Sequence, residues 1–364
     1  MTIRWIDAGR VSAIRSQSIY HGLGYALTPE TPDTVVMVIP ETPYMCIGFF
    51  QEAAKEIDLI FCRDNKLPVI RRETGGGAVY IDSGQMFVQW ICQPGSLPRK
   101  VEQRFQLFNK VIIETYKFFG IQAYHHPVND VHVNGRKIVG TGAASIGNAE
   151  VVTGNFLFDF SIDTMTQALN IPNPEFRNVV RNSLDNYMTW IKRELKVPPS
   201  YQEVTRIYKE QCEQVLGKPL LEGEFTSAEL EAIAEAEEKL VSEDWLHSVR
   251  VSPSKNKLVK IHAAVWVGWI AYKFDDWTLQ VFSQMRNNTL EMIRFYLPAY
   301  LTPQWNLNQL EVKLVSAPLE GDEINKRITD FFQQEGFETV MPIDHWTNAV
   351  MQIKNEVRKA SGYA

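Results

Sequence analysis

Residues 71–82, RRETGGGAVYID, combine two arginines with three consecutive glycines. Glycine leaves the backbone N–H groups unshielded and reaches positive φ without strain, so a triglycine can approach a phosphate closely. Guanidinium groups are forked cationic donors that suit carboxylate and phosphate oxygens. The pattern therefore favours an anion-binding loop. It is neither a P-loop nor a dinucleotide-binding fingerprint, because no Gly-Lys-Ser/Thr follows and the GxGxxG spacing is missing.

A second segment, NDVHVNGRKIVGTG at residues 129–142, predicts a β-hairpin with Asn134-Gly135 at its turn. Asp130 on the first arm is a hard oxygen ligand suited to magnesium beside phosphates. Lys137 on the returning arm is a point cation that can hold a carboxylate and a phosphate together. Strict alternation along this arm places Gly140 on the face opposite Lys137. The hairpin and the triglycine segment together predict a site for two anions.

The composition excludes several classes of function. The chain has 364 residues, enough for two domains at roughly 150 residues each. Its 37 basic and 43 acidic residues give a net charge of −6, which provides no basic field for nucleic acid or an anionic membrane. The four cysteines form no CxxC pair, which argues against a zinc, iron–sulfur or disulfide framework. No secretory signal stands at the start, and the longest apolar run is about half a bilayer span. We expect a cytoplasmic protein with no nucleic-acid or membrane partner.

Short strands and a few helices must position these residues. The apolar, β-branched residues 34–40 predict a buried strand with residues 44–50 as its neighbour. Further strands are predicted at residues 66–71, 77–81, 86–91 and 155–160, and helices at residues 105–119 and 163–169. Capping motifs at Ser200 and Thr226 predict two more helices, which begin after these residues and end near residues 216 and 241.

A polar, proline-containing stretch at residues 248–257 predicts a linker. Beyond it we expect strands at residues 258–274 and 277–283 and helices at residues 288–296, 322–334 and 346–358. That segment is long enough for a small α+β domain with its own core. We therefore predict two domains, residues 1–249 and 258–364.

The sequence resembles the lipoate–protein ligase A family, within the larger group of biotin and lipoate ligases and octanoyl transferases. The resemblance rests on RRxTGGGAVYxD at residues 71–82, Asn-Asp at 129–130 and GxKIxGxGA at 135–143, with weaker matches at 47–51, 154–158 and 177–190. It covers roughly residues 1–248, and residues 258–364 are similar to the family's small accessory domain. It implies an α+β fold whose catalytic domain has a mixed, mostly antiparallel sheet flanked by helices.

The resemblance also implies a reaction. ATP and lipoate, or octanoate, would give an acyl-adenylate, and a lysine of a lipoyl-domain or lipoate-carrier protein would then take the acyl group. Lys137 would be the catalytic residue, in contact with the carboxylate and the α-phosphate. Asp130 would lie near Mg²⁺, and Arg71 near the carboxyl end of the acyl pocket. The implied ligand-binding set is Arg71, Arg72, Gly75, Gly76, Gly77, Ala78, Val79, Tyr80, Asn129, Asp130, Lys137, Thr141 and Gly142.

The sequence departs from the family pattern at three places. Ile81 stands where the family usually has a histidine, which makes that wall apolar. Residues 17–27, QSIYHGLGYAL, replace an early Asn-Leu-Ala-x-x-Glu helix and lack its acidic residue. Residues 152–154, VTG, lack the histidine often found before that glycine. The changes leave acyl preference and choice of acceptor open, but they do not touch the charged residues.

Three alternative functions stay open. A transferase of the same fold uses a cysteine thiolate and no ATP, but residues 118–129, which lead to the Asn-Asp arm, contain no cysteine. A biotin ligase typically shows a GRGRxxR/G loop, which residues 71–77 do not spell. A non-catalytic acyl or nucleotide sensor would use a divergent pocket without turnover. Against the sensor, the charged residues of both motifs remain.

Overall fold

The structure is a computed structural model that describes residues 2–249, 256–262, 264–298, 300–301, 307–335 and 337–360. The chain forms two compact units, the first comprising Met1–Asn170 and Leu184–Val251, the second Ile171–Ser183 and Ser252–Ala364. Residues 171–183, predicted to lie in the first domain, thus fold with the second unit. Most of the predicted linker at residues 248–257 lies outside the described residues. Within the described ranges, no helix has the length and apolar character needed to cross a membrane.

Three sheets form the framework of the first unit. Its strands are β1 Ile3–Val11, β2 Thr34–Pro40, β3 Tyr44–Ile47, β4 Val69–Arg71, β5 Val79–Ile81, β6 Gln85–Cys92, β7 Tyr124–His126, β8 Asp130–Val133, β9 Arg136–Val139, β10 Gly142–Ile146, β11 Ala149–Leu157 and β12 Leu220–Glu222. The main sheet has the order β10-β11-β6-β2-β1-β12, antiparallel from β10 to β2 and parallel from β2 to β12. The smaller sheets are β4-β3-β5 and β7-β8-β9. The expected mixed, mostly antiparallel α+β fold is confirmed.

Helices cover both faces of the main sheet. In chain order, the helices up to residue 246 are α1 Ala13–Ala26, α2 Ala53–Glu56, α3 Leu59–Asp64, α4 Val101–Phe118, α5 Ile162–Ala168, α6 Pro174–Tyr187, α7 Ile191–Glu194, α8 Tyr201–Leu216, α9 Ser227–Val241 and α10 Glu243–Leu246. Of these, α4 and α8 lie on one face of the main sheet, and α1 and α9 on the other. Val35 and Met37 of β2 enter the core beneath α4 and α8, whereas Val36 and Val38 enter the core beneath α1 and α9. Burial on both faces explains why β2 is a continuous apolar run.

The second unit is an antiparallel meander with helices on its sheet. Its strands are β13 Lys257–His262, β14 Val265–Phe274, β15 Trp277–Arg286 and β16 Thr289–Tyr296, paired in chain order, and its helices are α11 Leu307–Leu314, α12 Gly321–Glu335 and α13 Ile343–Ala360. Trp346 of α13 is fully buried in the core between sheet and helices. The first half of α6 joins this unit through Phe176, whose ring centroid lies 5.7 Å from that of Phe282.

Three predictions of secondary structure are wrong. The single strand predicted at residues 258–274 is two antiparallel strands, β13 and β14. Residues 288–296 form strand β16 rather than a helix, because Asn287 and Asn288, with φ of 46° and 66°, form a turn that pairs β16 with β15. Residues 44–50 do not lie beside β2. β1 and β6 already occupy both edges of β2, so β3 pairs with β4 and β5 instead.

Candidate functional site

Arg72 organises the glycine segment around its guanidinium. Its Nη2 donates to the carbonyls of Gly75 and Gly77 at 2.8 and 2.9 Å, and its Nη1 donates to a carbonyl of β3 at 3.2 Å. Because a trans peptide points its C=O and the following N–H in opposite directions, the N–H groups of Gly76 and Ala78 face away from the guanidinium. Several backbone N–H groups presented together favour an anion.

Gly48 and Gly76 are required by the local backbone. Gly76 has φ of 102°, a conformation that side-chain-bearing residues rarely adopt. A Cβ at Gly48 would collide with the carbonyl of Gly76. Phe49 donates its N–H to the Thr74 carbonyl at 3.0 Å, which joins the turn after β3 to the glycine segment. The weak sequence match at residues 47–51 is therefore part of the same site.

Arg71 lies beneath the segment. Its side chain is 0% exposed, and it donates through Nη1 to the Phe49 carbonyl at 2.8 Å, through Nε to the Trp245 carbonyl at 2.9 Å and through Nη2 to the Leu246 carbonyl at 2.7 Å. Burial lowers the pKa of the guanidinium. All three guanidinium nitrogens are thus bound to backbone carbonyls. A contact of Arg71 with the acyl carboxyl group stays a prediction.

The second cationic residue, Lys137, lies on the predicted hairpin. Asn134 and Gly135, with φ of 50° and 78°, make the expected two-residue turn between β8 and β9. The Lys137 Nζ lies 2.9 Å from the Asp130 Oδ1, and the two side chains are 18% and 1% exposed. A Cβ at Gly140 would lie 3.3 Å from this Nζ, so Gly140 and the ammonium share one side. The predicted alternation is wrong there because β9 ends one residue earlier.

Residues 140–142 connect the lysine to the glycine segment. Asn129 Nδ2 donates to the Thr141 carbonyl at 2.7 Å, and the Thr141 hydroxyl donates back to the Asn129 carbonyl. A Cβ at Gly142 would lie 3.5 Å from the Cβ of Thr74. Because Gly140 lies against the ammonium and Gly142 against Thr74, the chain between them limits the separation of Lys137 Nζ and Thr74 Cβ to about 17 Å. The structure therefore brings the two predicted motifs into one neighbourhood.

The rest of the predicted motif divides between surface and core. Val79 is partly exposed, whereas the ring of Tyr80 is buried, 6.4 Å from the ring of Phe160. Ile81 is buried in a cluster with Tyr44 and lies among apolar side chains. The loss of the family histidine therefore places a core residue there.

A buried polar network near this cluster was not predicted. Tyr44 OH accepts from Gln17 Nε2 at 2.7 Å and lies 2.8 Å from the Ser16 hydroxyl, and Tyr20 OH donates to Gln17 Oε1 at 2.9 Å. Gln17 thus lies inside the first unit, at a helix that departs from the family pattern. The available signal was a polar pair, Gln17-Ser18, in a helix that must bury one face.

The sequence pattern also predicted no role for Glu73, because it occupies a variable position of the motif. Its carboxylate lies 2.5 Å from Lys239 Nζ of α9 and accepts a hydrogen bond from Tyr25. Trp245 of α10 donates its indole N–H to the Arg71 carbonyl at 2.9 Å. No local pattern could reveal Lys239 and Trp245 as partners, because they lie more than 160 positions further along the chain.

The donor chemistry at the hairpin fits magnesium. Mg²⁺ is usually held by one or two carboxylates, several waters and the phosphates of a substrate. The Asp130 carboxylate, beside the Lys137 ammonium, is a hard oxygen donor of that kind. A single protein carboxylate is sufficient where phosphates supply the remaining ligands.

The four cysteines are all buried and free. Burial raises the pKa of all four thiols. The pKa is about 11 for Cys62 and about 12 for Cys212. Each thiol is therefore protonated at neutral pH. None has the depressed pKa and access that a thiolate nucleophile needs.

A family model described as the lipoyl protein ligase A/B catalytic domain matches residues 23–213. The chain belongs to this family of lipoylation ligases and transferases. Octanoyltransferase LipM from Kyrpidia tusciae is 22% identical over 269 residues, which are 67% of this chain and 98% of LipM. The expected family membership is confirmed.

Solved structures agree on the fold. A bi-partite lipoate protein ligase, studied with its E2 lipoyl domain from Thermoplasma acidophilum, aligns with a TM-score of 0.63 at 22% identity and covers 70% of this chain and 99% of its own. A lipoate-protein ligase A bound with ATP aligns with a TM-score of 0.59 at 21% identity and covers 69% of this chain and 100% of its own. At these identities the likeness establishes the fold.

Proposed function

We propose that this family member is an ATP-dependent lipoate–protein ligase. In the first step a carboxylate oxygen of lipoate or octanoate attacks the α-phosphorus of ATP, the bond to the β-phosphate oxygen breaks, and pyrophosphate leaves. In the second step a lysine amine of an acceptor protein attacks the acyl carbon. The amine loses a proton, AMP leaves, and an amide bond forms.

The Lys137–Asp130 pair near the glycine segment carries this proposal. A carboxylate and a phosphate repel each other, so the first step needs positive charge held where they meet. The Lys137 ammonium is prepositioned by the buried carboxylate, and the N–H groups of Gly76 and Ala78 add uncharged donors. We assign Lys137 as the catalytic residue. The proposed nucleotide-binding residues are Arg72, Gly75, Gly76, Gly77, Ala78, Val79, Tyr80, Asn129, Thr141 and Gly142.

Asp130 is the residue that would hold Mg²⁺, whose chemistry when bound is to neutralise phosphate charge. The same carboxylate orients Lys137, from 2.9 Å. Through the lysine and through a bound metal, Asp130 would act on phosphate charge in both cases. Arg71 is proposed to hold the backbone around the site, because its donors are bound to backbone carbonyls, and its contact with the acyl carboxyl group stays a prediction.

The acceptor is proposed to be a lipoyl domain or a lipoate-carrier protein. The Thermoplasma ligase, which has this fold, was studied with an E2 lipoyl domain. ATP is proposed as the nucleotide because a second protein of this fold was solved bound with ATP.

An octanoyl transferase is the second candidate, favoured by the match that spans 98% of LipM. A transferase of this fold needs a cysteine thiolate to carry the acyl group. Residues 93–211 contain no cysteine, and burial keeps Cys46, Cys62, Cys92 and Cys212 protonated. The ligase needs no thiol, so we favour it.

Pyrophosphate release with lipoate, octanoate or biotin, each with and without ATP, tests the proposal. The ligase predicts release that requires both ATP and lipoate or octanoate. Transfer from an octanoylated carrier without ATP would establish the transferase. Pyrophosphate release from ATP with biotin, but not with lipoate or octanoate, would establish a biotin ligase. Binding of lipoate or ATP without release would establish a sensor.

A further inference from the structure

Helices α9 and α10 hold the glycine segment from outside residues 23–213, the part of the chain that matches the family model. The Lys239 Nζ lies 2.5 Å from Glu73 Oε1 and donates to Tyr25 OH at 2.9 Å, while the same hydroxyl donates to Glu73. The Glu73 side chain is 15% exposed. Two polar groups from two helices, Tyr25 of α1 and Lys239 of α9, thus contact Glu73, which directly follows Arg72.

Trp245 makes the second connection. Its indole N–H donates to the Arg71 carbonyl at 2.9 Å, and its own carbonyl accepts from Arg71 Nε at 2.9 Å. The ring lies 4.4 Å from the Lys239 ammonium, a cation–π distance, and 5.8 Å from the ring of Phe49. The indole therefore joins the ion pair on one side to the Arg71 backbone and side chain on the other. We name Lys239, Trp245 and Leu246 the C-terminal clamp.

The backbone on the far side of Glu73 is held as well. The Glu73 N–H donates to His21 Nε2 at 3.2 Å, and His21 Nδ1 lies 2.7 Å from the Gln17 carbonyl. An imidazole that accepts at Nε2 and donates at Nδ1 is neutral. Glu73 is thus fixed through both its backbone and its side chain.

Helix α9, which carries Lys239, packs closely against α1. α9 crosses α1 so closely that a Cβ at Gly22 would lie 2.5 Å from backbone atoms of Ile233. Arg15 of α1 and Glu237 of α9 form a further ion pair with Nε and Oε1 2.7 Å apart, which makes no contact with the glycine segment. A segment with three consecutive glycines loses much conformational entropy when it is ordered. Because a fixed helix orders the segment when the protein folds, this entropy is lost during folding and does not weaken ligand binding.

We infer that Lys239 and Trp245 are positioning residues that hold residues 71–77 in the anion-binding conformation before substrate arrives. The kinetic consequence rests on the proposed ligase function, whereas the order of the segment does not. Loss of the clamp should weaken binding of ATP more than it slows the bound chemistry, because Lys137 and Asp130 make no contact with it.

Hydrogen exchange and kinetics together test the inference. In Lys239→Met and Trp245→Phe we expect the amides of residues 73–78 to exchange roughly five- to tenfold faster than in the unaltered protein. We expect the KM for ATP in pyrophosphate release to rise by a similar factor, with kcat nearly unchanged. Lys239→Arg keeps the charge and should restore most of both. Arg15→Met removes an ion pair between the same two helices and is the matched control, expected to leave both readouts unchanged.

The outcomes separate the clamp from the ligase. Unchanged exchange of residues 73–78 in Lys239→Met and Trp245→Phe would overturn the inference, as would faster exchange with an unchanged KM for ATP. Equal effects of Arg15→Met would also overturn it, because they would show general loosening of α9. Failure of the proposed function appears differently, as absent pyrophosphate release in the unaltered protein, and exchange then decides the clamp alone.

Discussion

At the scale of single residues, the proposed mechanism assigns the first chemical step to one ammonium group. The Lys137 Nζ lies 2.9 Å from Asp130 in a setting where both side chains are largely removed from water. A partly buried pair is screened less than a surface pair, so its position is well defined before substrate binds. Arg72 donates to carbonyls of the glycine segment, and Arg71 donates to the Leu246 carbonyl. The site therefore depends on a few residues with different tasks.

Replacing the ammonium should remove the first chemical step. We expect Lys137→Gln to lower the rate of adenylate formation by about 10² to 10³, the usual effect of losing one prepositioned donor to a transition-state charge. Glutamine can still donate to Asp130, so the thermal unfolding midpoint should change little. Lys192→Gln, at a surface pair with Asp159, is the control and should keep full activity. Near-normal turnover in Lys137→Gln would remove Lys137 from its catalytic role.

His21 should make stability depend on pH. Burial lowers its pKa from 6.5 to about 4. The unfolded chain therefore binds a proton that the folded chain does not, so this contribution to stability is complete above pH 6.5 and is lost as pH falls towards 4. Urea unfolding at pH 7 and pH 4 should show about 3 kcal/mol more loss in the unaltered protein than in His21→Gln. Equal losses in both proteins would contradict the buried neutral imidazole.

At the scale of elements, the position of α9 against α1 governs the glycine segment. Gly22 allows this close crossing, and Lys239 at the end of α9 then reaches Glu73. The capping boxes at Ser200 and Thr226 begin α8 and α9 as predicted, because a cap is a local pattern. The contact between α9 and the motif joins distant parts of the chain. Nothing in either local sequence could predict it.

Gly22→Ala should separate the two helices. The added Cβ meets backbone rather than a flexible side chain, so we expect a loss of about 1–3 kcal/mol in the first unit and faster exchange of residues 73–78. Gly321→Ala makes the same chemical change where no atom lies within 4 Å and should leave both quantities unchanged. Denaturant unfolding and hydrogen exchange measure the two effects. A fully stable Gly22→Ala protein would mean that α9 tolerates displacement.

The hairpin shows how far local sequence determines the site. Asn134-Gly135 and the neighbouring strands were predicted, since the turn chemistry is local. The contact of Gly140 with Lys137 was not, because the strand ends at Val139. The predicted helix at residues 288–296 failed for a different reason. Leu290 and Ile293 are spaced as on a helix face, but a register shift in the β15–β16 ladder allows a strand to bury both.

At the scale of the whole molecule, two compact units share one chain that crosses between them more than once. The predicted domain limits take no account of residues 171–183, which belong to the second unit although the chain on both sides belongs to the first. Short helical segments of this kind carry no boundary signal in composition. The roles of catalytic and accessory domain stay predictions.

Truncation should reveal this arrangement. A chain ending at residue 249 keeps Phe176, which is fully buried, but loses the sheet that contains Phe282. We expect that fragment to have a lower thermal unfolding midpoint and to aggregate, because it exposes an aromatic side chain and its neighbours. Phe176→Ser in the same fragment should reduce aggregation. A monomeric, fully stable fragment with Phe176 intact would contradict the expected dependence on the second unit.

Labelling with heavy oxygen tests the central claim most directly. If a lipoate carboxylate oxygen attacks the α-phosphorus of ATP, that oxygen stays with the phosphate when the acceptor lysine takes the acyl group. The full reaction of carboxyl-labelled lipoate, ATP, Mg²⁺ and a lipoyl domain should therefore release AMP that carries one heavy oxygen, as read by mass spectrometry. Lipoylation of the domain without labelled AMP would contradict the ligase mechanism.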